Sequence, residues 1–114
     1  MKLDIKPMTV NACWQGRRFK TKQYLAYEND VSLLLRPCRL PEGHLQLVIK
    51  VGFSNKLADV DNMVKPFVDI LQKKYEFNDN RIYKLELEKF IVKKGEEYID
   101  FEFKPYGLKS YHKI

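Results

Sequence analysis

The chain has 114 residues, and its 21 Lys and Arg residues outnumber its 15 Asp and Glu residues, which gives a formal charge of +6. With 45% hydrophobic and 13% aromatic residues it can bury a core, so wholesale intrinsic disorder is excluded. A chain of this length buries roughly two-thirds of its unfolded surface, which is enough for one domain and too little for two. We therefore expect one domain over residues 1–105 and a basic tail over residues 106–114.

Membrane proteins and disulfide-rich secreted domains are excluded by two further features. No apolar run approaches the ~20 residues that span a bilayer, and the first residues lack the apolar segment of a secretory signal. The two cysteines, Cys13 and Cys38, are too few and too far apart for a disulfide framework or a CxxC metal site. We expect a soluble protein in the reducing cytoplasm of a bacterial cell, with either a cellular or a phage gene.

The basic charge is concentrated at the front of the chain. Residues 1–50 contain nine Lys or Arg and four Asp or Glu. Residues 51–114 contain twelve Lys or Arg and eleven Asp or Glu, so their charges nearly cancel. Residues 11–24 contain four Lys or Arg, no acid and several aromatic residues. Cations displace counterions from a phosphate backbone and aromatic rings stack on bases, so this segment suits DNA binding. A solvated basic loop explains the same pattern equally well. The candidate DNA-binding residues are Trp14, Arg17, Arg18, Lys20 and Lys22.

The first predicted elements are a short strand, a helix and a long strand. A strand over residues 3–6 ends at Pro7. Apolar residues at helical spacing then predict a helix over residues 22–36, which Pro37 terminates. Clean alternation of apolar and polar residues predicts a half-buried strand over residues 45–53.

The second half predicts another helix and two more strands. Apolar residues from Val64 onward recur at helical spacing and predict a helix that runs to about residue 74. Strands over residues 83–91 and 98–103 are separated by a short turn, which predicts a hairpin. Helices between runs of strands favour a single two-layer α+β domain with a mostly antiparallel sheet and two helices.

Candidate chemistry is concentrated between the long strand and the second helix. Asp59 and Asp61 are two residues apart, so in an extended segment both carboxylates leave on one side while Val60 faces the core. Lys65 follows Asp61 by four residues, one helical turn on. A third carboxylate, Asp79, lies at the beginning of the next strand.

Clustered carboxylates repel one another unless a cation lies among them. Mg²⁺ prefers carboxylate oxygens and keeps several waters, and it can activate water and neutralise charge on a phosphate under attack. A nearby ammonium such as Lys65 can stabilise the oxyanion. The structural alternative is that Asp61 caps a helix, Lys65 is its salt-bridge partner and Asp79 is a turn residue. Spacing alone favours that alternative.

Three motifs change this balance. They are Asp59-Val60-Asp61-Asn62-Met63-Val64-Lys65, then Asp69-Ile70-Leu71, then Asn78-Asp79-Asn80-Arg81-Ile82. They resemble the DxDNxxK, D-(A/G/I)-L and DD-x-(Q/R)-V stretches of the RusA family of Holliday-junction resolvases. The opening segment, with Pro7-Met8-Thr9-Val10-Asn11, Trp14 and Gly16-Arg17-Arg18, is also similar, so the resemblance covers roughly residues 3 to 103.

The resemblance implies roles for individual residues. Asp59, Asp61 and Asp79 match the catalytic, Mg²⁺-binding aspartates, with Mn²⁺ as an alternative ion, and Lys65 matches the essential lysine. The remaining matches imply supporting groups around the carboxylates, namely Asn62 and Asp69.

Two departures from the family pattern bear on these roles. The first aspartate of the double-aspartate stretch is Asn78 here, which leaves the catalytic carboxylate in place. Pro66 follows Lys65 directly and disfavours helical conformation at Lys65, so we expect the helix to begin later and Lys65 to lie in a turn.

The resulting hypothesis is a Mg²⁺-dependent endonuclease that resolves four-way DNA junctions in recombination and repair by symmetric nicking. One acidic site per chain and two cuts per junction imply a two-fold homodimer. The expected partner is branched DNA, and no small-molecule cofactor beyond the metal is expected. The alternatives are a non-catalytic DNA-binding module of the same fold and a nuclease acting on flaps or branched replication intermediates.

Overall fold

A four-stranded mixed sheet with two helices forms the domain in a computed structural model, which describes residues 1–15 and 19–107. In chain order the elements are β1 (Lys2–Leu3), β2 (Trp14–Gln15), β3 (Phe19–Lys20), α1 (Lys22–Leu34), β4 (Leu45–Phe53), α2 (Val64–Tyr75), β5 (Ile82–Ile91) and β6 (Tyr98–Pro105). Single 3₁₀ turns cover Val10–Ala12, Val60–Met63 and Asp79–Arg81. The strand order is β1-β6-β4-β5, and β2 and β3 form a separate antiparallel ribbon. The α+β prediction is therefore confirmed.

The central strand is β4, whose bounds agree with the prediction. Alternate residues of β4 are fully buried, because one face of the sheet packs against both helices. The core joins Leu47, Ile49 and Val51 of β4 to Phe67 and Leu71 of α2 and to Tyr24 and Val31 of α1. Among the described residues, no helix combines the length and apolar character that crossing a bilayer requires.

The predicted hairpin between the last two strands is wrong. β6 pairs antiparallel with β4, with Ile99 opposite Val51, whereas β5 pairs parallel with the other edge of β4, with Leu85 opposite Leu47. Because β4 is the most buried strand, it takes the central position and separates β5 from β6. The parallel pair requires a crossover connection, and α2 supplies it.

Helix α1 begins at the predicted residue and ends slightly early. The Thr21 hydroxyl accepts a hydrogen bond from the Tyr24 backbone N–H at 3.1 Å, which caps the first turn. The helix ends at Leu34, two residues before the predicted bound, since Leu35 is already extended. The predicted N-terminal strand is also shorter than expected and covers Lys2–Leu3.

The expectation that Pro66 delays the second helix is wrong. Helix α2 begins at Val64 and therefore includes Lys65 and Pro66 in its first turn. Proline is tolerated there because the N–H groups of a first turn have no intrahelical acceptor, so the missing donor costs little. Lys65 is thus held by a helix rather than by a turn.

Candidate active site

An open cleft of about 440 Å³ lies between α2, the 3₁₀ turn that precedes it and the beginning of β5. Its polar lining consists of Asp61, Lys65, Asp69 and Asp79, and its apolar lining of Val64, Val68, Ile82 and Leu85. The fold thus brings residues of all three sequence motifs into one cleft.

The segment around Asp59 differs from the extended geometry that we predicted. Asp59 itself is extended, with φ −82° and ψ 121°, but Val60–Met63 form a 3₁₀ turn, so the alternation rule does not apply to Asp61. Asp61 lines the cleft, whereas Asp59 is not among the lining residues. The Asp59 carboxylate instead accepts a hydrogen bond from the Asn62 amide at 3.4 Å. Val60 packs against the core as expected.

Two parts of the structural alternative do not form, whereas the third does, because Asp79 begins the 3₁₀ turn Asp79–Arg81. The residue before α2 is Met63, so Asp61 is not the helix cap. The Lys65 ammonium lies 3.6 Å from the carboxylate of Asp69 and pairs with that residue instead of Asp61.

The turn that carries Asp79 is stabilised by its neighbour. The Asn78 side chain accepts a hydrogen bond from the Asn80 backbone N–H at 2.9 Å, so Asn78 supplies the turn contact. Over residues 1–15 and 19–107, the carboxylates of Asp61 and Asp79 have neither a hydrogen bond nor an ion pair. Within these described ranges, both carboxylates therefore line the cleft without an ion-pair partner, although Lys65 lines the same cleft.

Gln72 is a site residue that the sequence did not reveal. Its side-chain oxygen accepts a hydrogen bond from the Asp79 backbone N–H at 2.8 Å, and its amide nitrogen donates to the Asp69 carboxylate at 3.4 Å. The spacing of three residues from Asp69 is a weak local signal. Nothing in the sequence indicates that the side chain reaches Asp79.

A second charged cluster lies on the other side of Asp69. The Glu28 carboxylate binds the ammonium groups of Lys20 at 3.1 Å and Lys73 at 2.8 Å. Burial raises the pKa of Glu28, but the hydrogen bonds from Lys73 and Lys20 outweigh it and lower that pKa below its ordinary value. A neighbouring cleft of about 380 Å³ is lined by Lys20, Tyr24, Asp69, Gln72 and Lys73.

The candidate DNA-binding residues have different surroundings. Lys20 is engaged by Glu28, whereas Lys22 is exposed at the first position of α1. Trp14 lies in β2 with its backbone opposite Lys20. Arg17 and Arg18 lie outside the described residues, as does most of the predicted basic tail.

The donor set of the cleft fits a hard divalent ion. Carboxylate oxygens are the ligands that Mg²⁺ prefers, and the ion is commonly held by one or two carboxylates, with water and phosphate at the other positions. Asp61 and Asp79 supply two unpaired carboxylates. Within the described ranges, no group of three or more His, Cys, Asp or Glu side chains is close enough to hold an ion together. The cleft therefore suits an ion that completes its shell with water and substrate.

One protein-family model matches the chain. The model is described as Endodeoxyribonuclease RusA, and it matches residues 6–101, which is most of the sequence. No curated protein matches the chain. The matched range contains β2 to β5, both helices and every residue that lines the cleft.

Proposed function

The chain belongs to the RusA endodeoxyribonuclease family and is an endonuclease, and from this premise we propose that it resolves four-way DNA junctions with a divalent ion held by Asp61 and Asp79. The observation that carries the proposal is the pair of unpaired carboxylates in a cleft that also contains Lys65. Two exposed carboxylates that have no ion-pair partner among the described residues are available to bind a divalent ion.

The side chains that line the cleft have different roles in the proposed reaction. Asp61 and Asp79 would hold Mg²⁺ or Mn²⁺, which when bound would supply activation of a water and neutralisation of charge on the phosphate. Lys65 presents an ammonium to the phosphate oxygens, where negative charge develops. Asp69 keeps the Lys65 side chain at the cleft through the 3.6 Å ion pair.

Asp59 and Asn62 have supporting places in the proposal. Asp59 matches a catalytic aspartate of the family and stays a candidate ligand, although the proposal rests on Asp61 and Asp79, which line the cleft. The hydrogen bond from Asn62 to Asp59 ties that carboxylate to the 3₁₀ turn that bears Asp61. Such contacts orient the carboxylates around a metal ion.

A cleavage assay tests the proposal. Four-way, three-way, flap and linear duplex DNA are incubated with the protein in Mg²⁺, in Mn²⁺ and in EDTA, and products are separated on denaturing gels. We expect symmetric nicks on the four-way junction and loss of cleavage in EDTA. Preference for flaps would instead support the alternative substrate, and cleavage in EDTA would contradict the metal.

The decisive variant is Asp61→Asn, which keeps the shape of the side chain and removes its charge. We expect cleavage to fall by at least ~10²-fold. Metal-free junction binding persists or tightens, since a charge that repels phosphates has gone. Asp4→Asn, at an exposed aspartate that does not line the cleft, is the matched control. Parent-rate cleavage by Asp61→Asn would contradict the metal site.

The DNA-binding surface and the assembly complete the proposal. We assign phosphate contacts to Arg17, Arg18 and Lys22, and Trp14 and Lys20 stay candidate DNA-binding residues. Replacing Arg17 and Arg18 with Ala should reduce the salt slope of junction binding by about one unit per lost phosphate contact.

The assembly that we propose is a two-fold homodimer, because each chain offers one cleft with both carboxylates and a junction needs two cuts. Sedimentation with and without junction DNA should show two chains per particle. A monomer under both conditions would exclude paired nicking by a dimer.

A further inference from the structure

One face of α2 carries a continuous line of polar contacts that ends at the backbone of Asp79. The Lys65 ammonium lies 3.6 Å from one Asp69 carboxylate oxygen, and the other oxygen accepts from the Gln72 amide at 3.4 Å. The Gln72 oxygen then accepts from the Asp79 N–H at 2.8 Å. Residues spaced four and three apart lie on one side of a helix, so this line follows the helix toward the 3₁₀ turn.

We propose that Gln72 is a positioning residue that holds the Asp79 carboxylate in place relative to Lys65 and Asp61. This inference rests on the proposed function, because it assumes that Asp79 binds the metal. Gln72 acts through Asp79 and does not itself touch the substrate. A displacement of about 1 Å in a reacting group can cost 10²-fold in rate, so the position of this turn matters.

An amide is the side chain that both contacts require. The Asp79 N–H can only donate, so the Gln72 oxygen must face it and the amide nitrogen is left facing Asp69. A carboxylate accepts and cannot donate, which suits the amide nitrogen. Glutamate in place of Gln72 would keep the acceptor and place a second negative charge against Asp69, whereas methionine would fill similar space without either bond.

The turn that bears Asp79 depends on contacts of this kind. It is a single 3₁₀ turn, Asp79–Arg81, and the Asp79 side chain is exposed. The Arg81 guanidinium bonds the backbone oxygen of Gly43 at 2.9 Å, which ties the turn to the loop before β4. The hydrogen bond from Asp79 to Gln72 supplies the corresponding tie to α2, the helix that carries Lys65.

Gln72→Met and Gln72→Glu test the inference, with Gln46→Met as a matched control. Gln46 is on β4, and its amide donates to Glu86 at 2.9 Å, away from the cleft. We expect Gln72→Met to lower kcat about 10-fold and to raise the Mg²⁺ concentration that gives half-maximal rate, because the Asp79 carboxylate is less well placed. Metal-free junction binding stays at the parent value. Gln46→Met changes none of these quantities.

The pH profile of Gln72→Glu gives an independent readout. When the new carboxyl is protonated it regains a donor for Asp69, so the rate of Gln72→Glu relative to the parent should rise as the pH falls. A merely structural role would lower the melting temperature of Gln72→Glu at high pH but would leave the Mg²⁺ concentration for half-maximal rate at the parent value. If Gln72→Met does not fold, the test uses the ratio of the Gln72→Glu rate to the parent rate. A ratio that does not change with pH, together with a parent-like Mg²⁺ dependence, would overturn the inference.

The inference and the proposed function fail in different ways. Parent-like kcat and Mg²⁺ dependence in Gln72→Met, together with an inactive Asp79→Asn, would overturn the role of Gln72 and keep the metal site. A fully active Asp79→Asn would overturn the metal site itself.

Discussion

One glutamate and a pair of aspartates lie on either side of Asp69, and their surroundings are opposite in character. Glu28 joins α1 to β3 through Lys20 at 3.1 Å and to α2 through Lys73 at 2.8 Å, and only 21% of its side chain is exposed. Asp61 and Asp79 are exposed in the larger cleft and have no such partner within the described ranges.

This comparison distinguishes a charged side chain that stabilises the fold from charged side chains that are available for catalysis. The Glu28 carboxylate is neutralised by lysines of the same chain, so its negative charge stabilises the packing of the elements that carry them. Among the described residues, the two aspartates of the cleft have no ion-pair partner, so both carboxylates are available to bind a cation. Asp69 lines both clefts, and its ion pair with Lys65 ties the two regions together.

The largest effect is expected from Asp79→Asn. Cleavage of a four-way junction should fall by at least ~10²-fold, because one of two metal-binding charges is lost. The melting temperature should change little, because the Asp79 side chain is exposed and has no hydrogen bond or ion pair within the described ranges. Gel cleavage and thermal melting of one preparation measure both. A large fall in melting temperature would place Asp79 with the structural charges.

Lys65→Gln tests the residue that connects the two regions. We expect cleavage to fall about 10-fold, because the ammonium near the phosphate is lost while its 70% exposure already screens the charge. The free energy of unfolding should change by less than about 0.5 kcal/mol, since exposed ion pairs contribute little. Lys74→Gln, at an exposed lysine of the same helix that does not line the cleft, is the control. Equal rates for the two variants would contradict the role of Lys65.

Glu28→Gln should lower stability and leave the cleavage rate almost unchanged, the reverse of what we expect for the cleft residues. Removing the carboxylate leaves two lysines adjacent without their shared acceptor, so the free energy of unfolding should fall by about 1 kcal/mol. The rate of cleavage at saturating Mg²⁺ should change by less than about twofold, because neither cleft aspartate contacts Glu28. Urea denaturation and the cleavage assay measure the two quantities. Unaltered stability would show that the cluster contributes nothing to folding.

The smallest effect is a dependence of that stability difference on pH. The folded state lowers the pKa of Glu28 below its ordinary value of 4.5, because the hydrogen bonds from Lys73 and Lys20 outweigh burial. A lowered carboxyl pKa contributes stability above the ordinary value and loses it as the pH falls through the folded value. The difference between parent and Glu28→Gln should therefore be full at pH 7 and shrink below about pH 4.5. Urea midpoints at pH 7, 5 and 3.5 measure it, and a constant difference would contradict the linkage.

Local patterns in the sequence determined most of the elements and the identity of the cleft residues. The alternation from Leu45 to Phe53 gave the bounds of β4, because burial on one face of a strand follows a period of two. The resemblance of the three motifs to the RusA pattern singled out Asp61, Lys65 and Asp79, all of which line one cleft. The bounds of β4 and the pattern within each motif depend on residues close together in the chain, which the sequence displays directly.

Tertiary structure alone decided which elements meet. The central place of β4 between β5 and β6 depends on which strand buries most apolar surface, and a short turn between two strands cannot reveal it. The exclusion of Asp59 from the cleft lining follows from a 3₁₀ turn stabilised by packing of Met63 and Val60.

The side-chain contacts between elements have the same origin. Gln72 accepts a hydrogen bond from the backbone of Asp79, and Lys20 forms an ion pair with Glu28. A hydrogen bond between elements forms only when packing brings its donor and acceptor within about 3 Å. That distance is set by the core beneath the two groups, and it is not a property of the spacing between them along the chain.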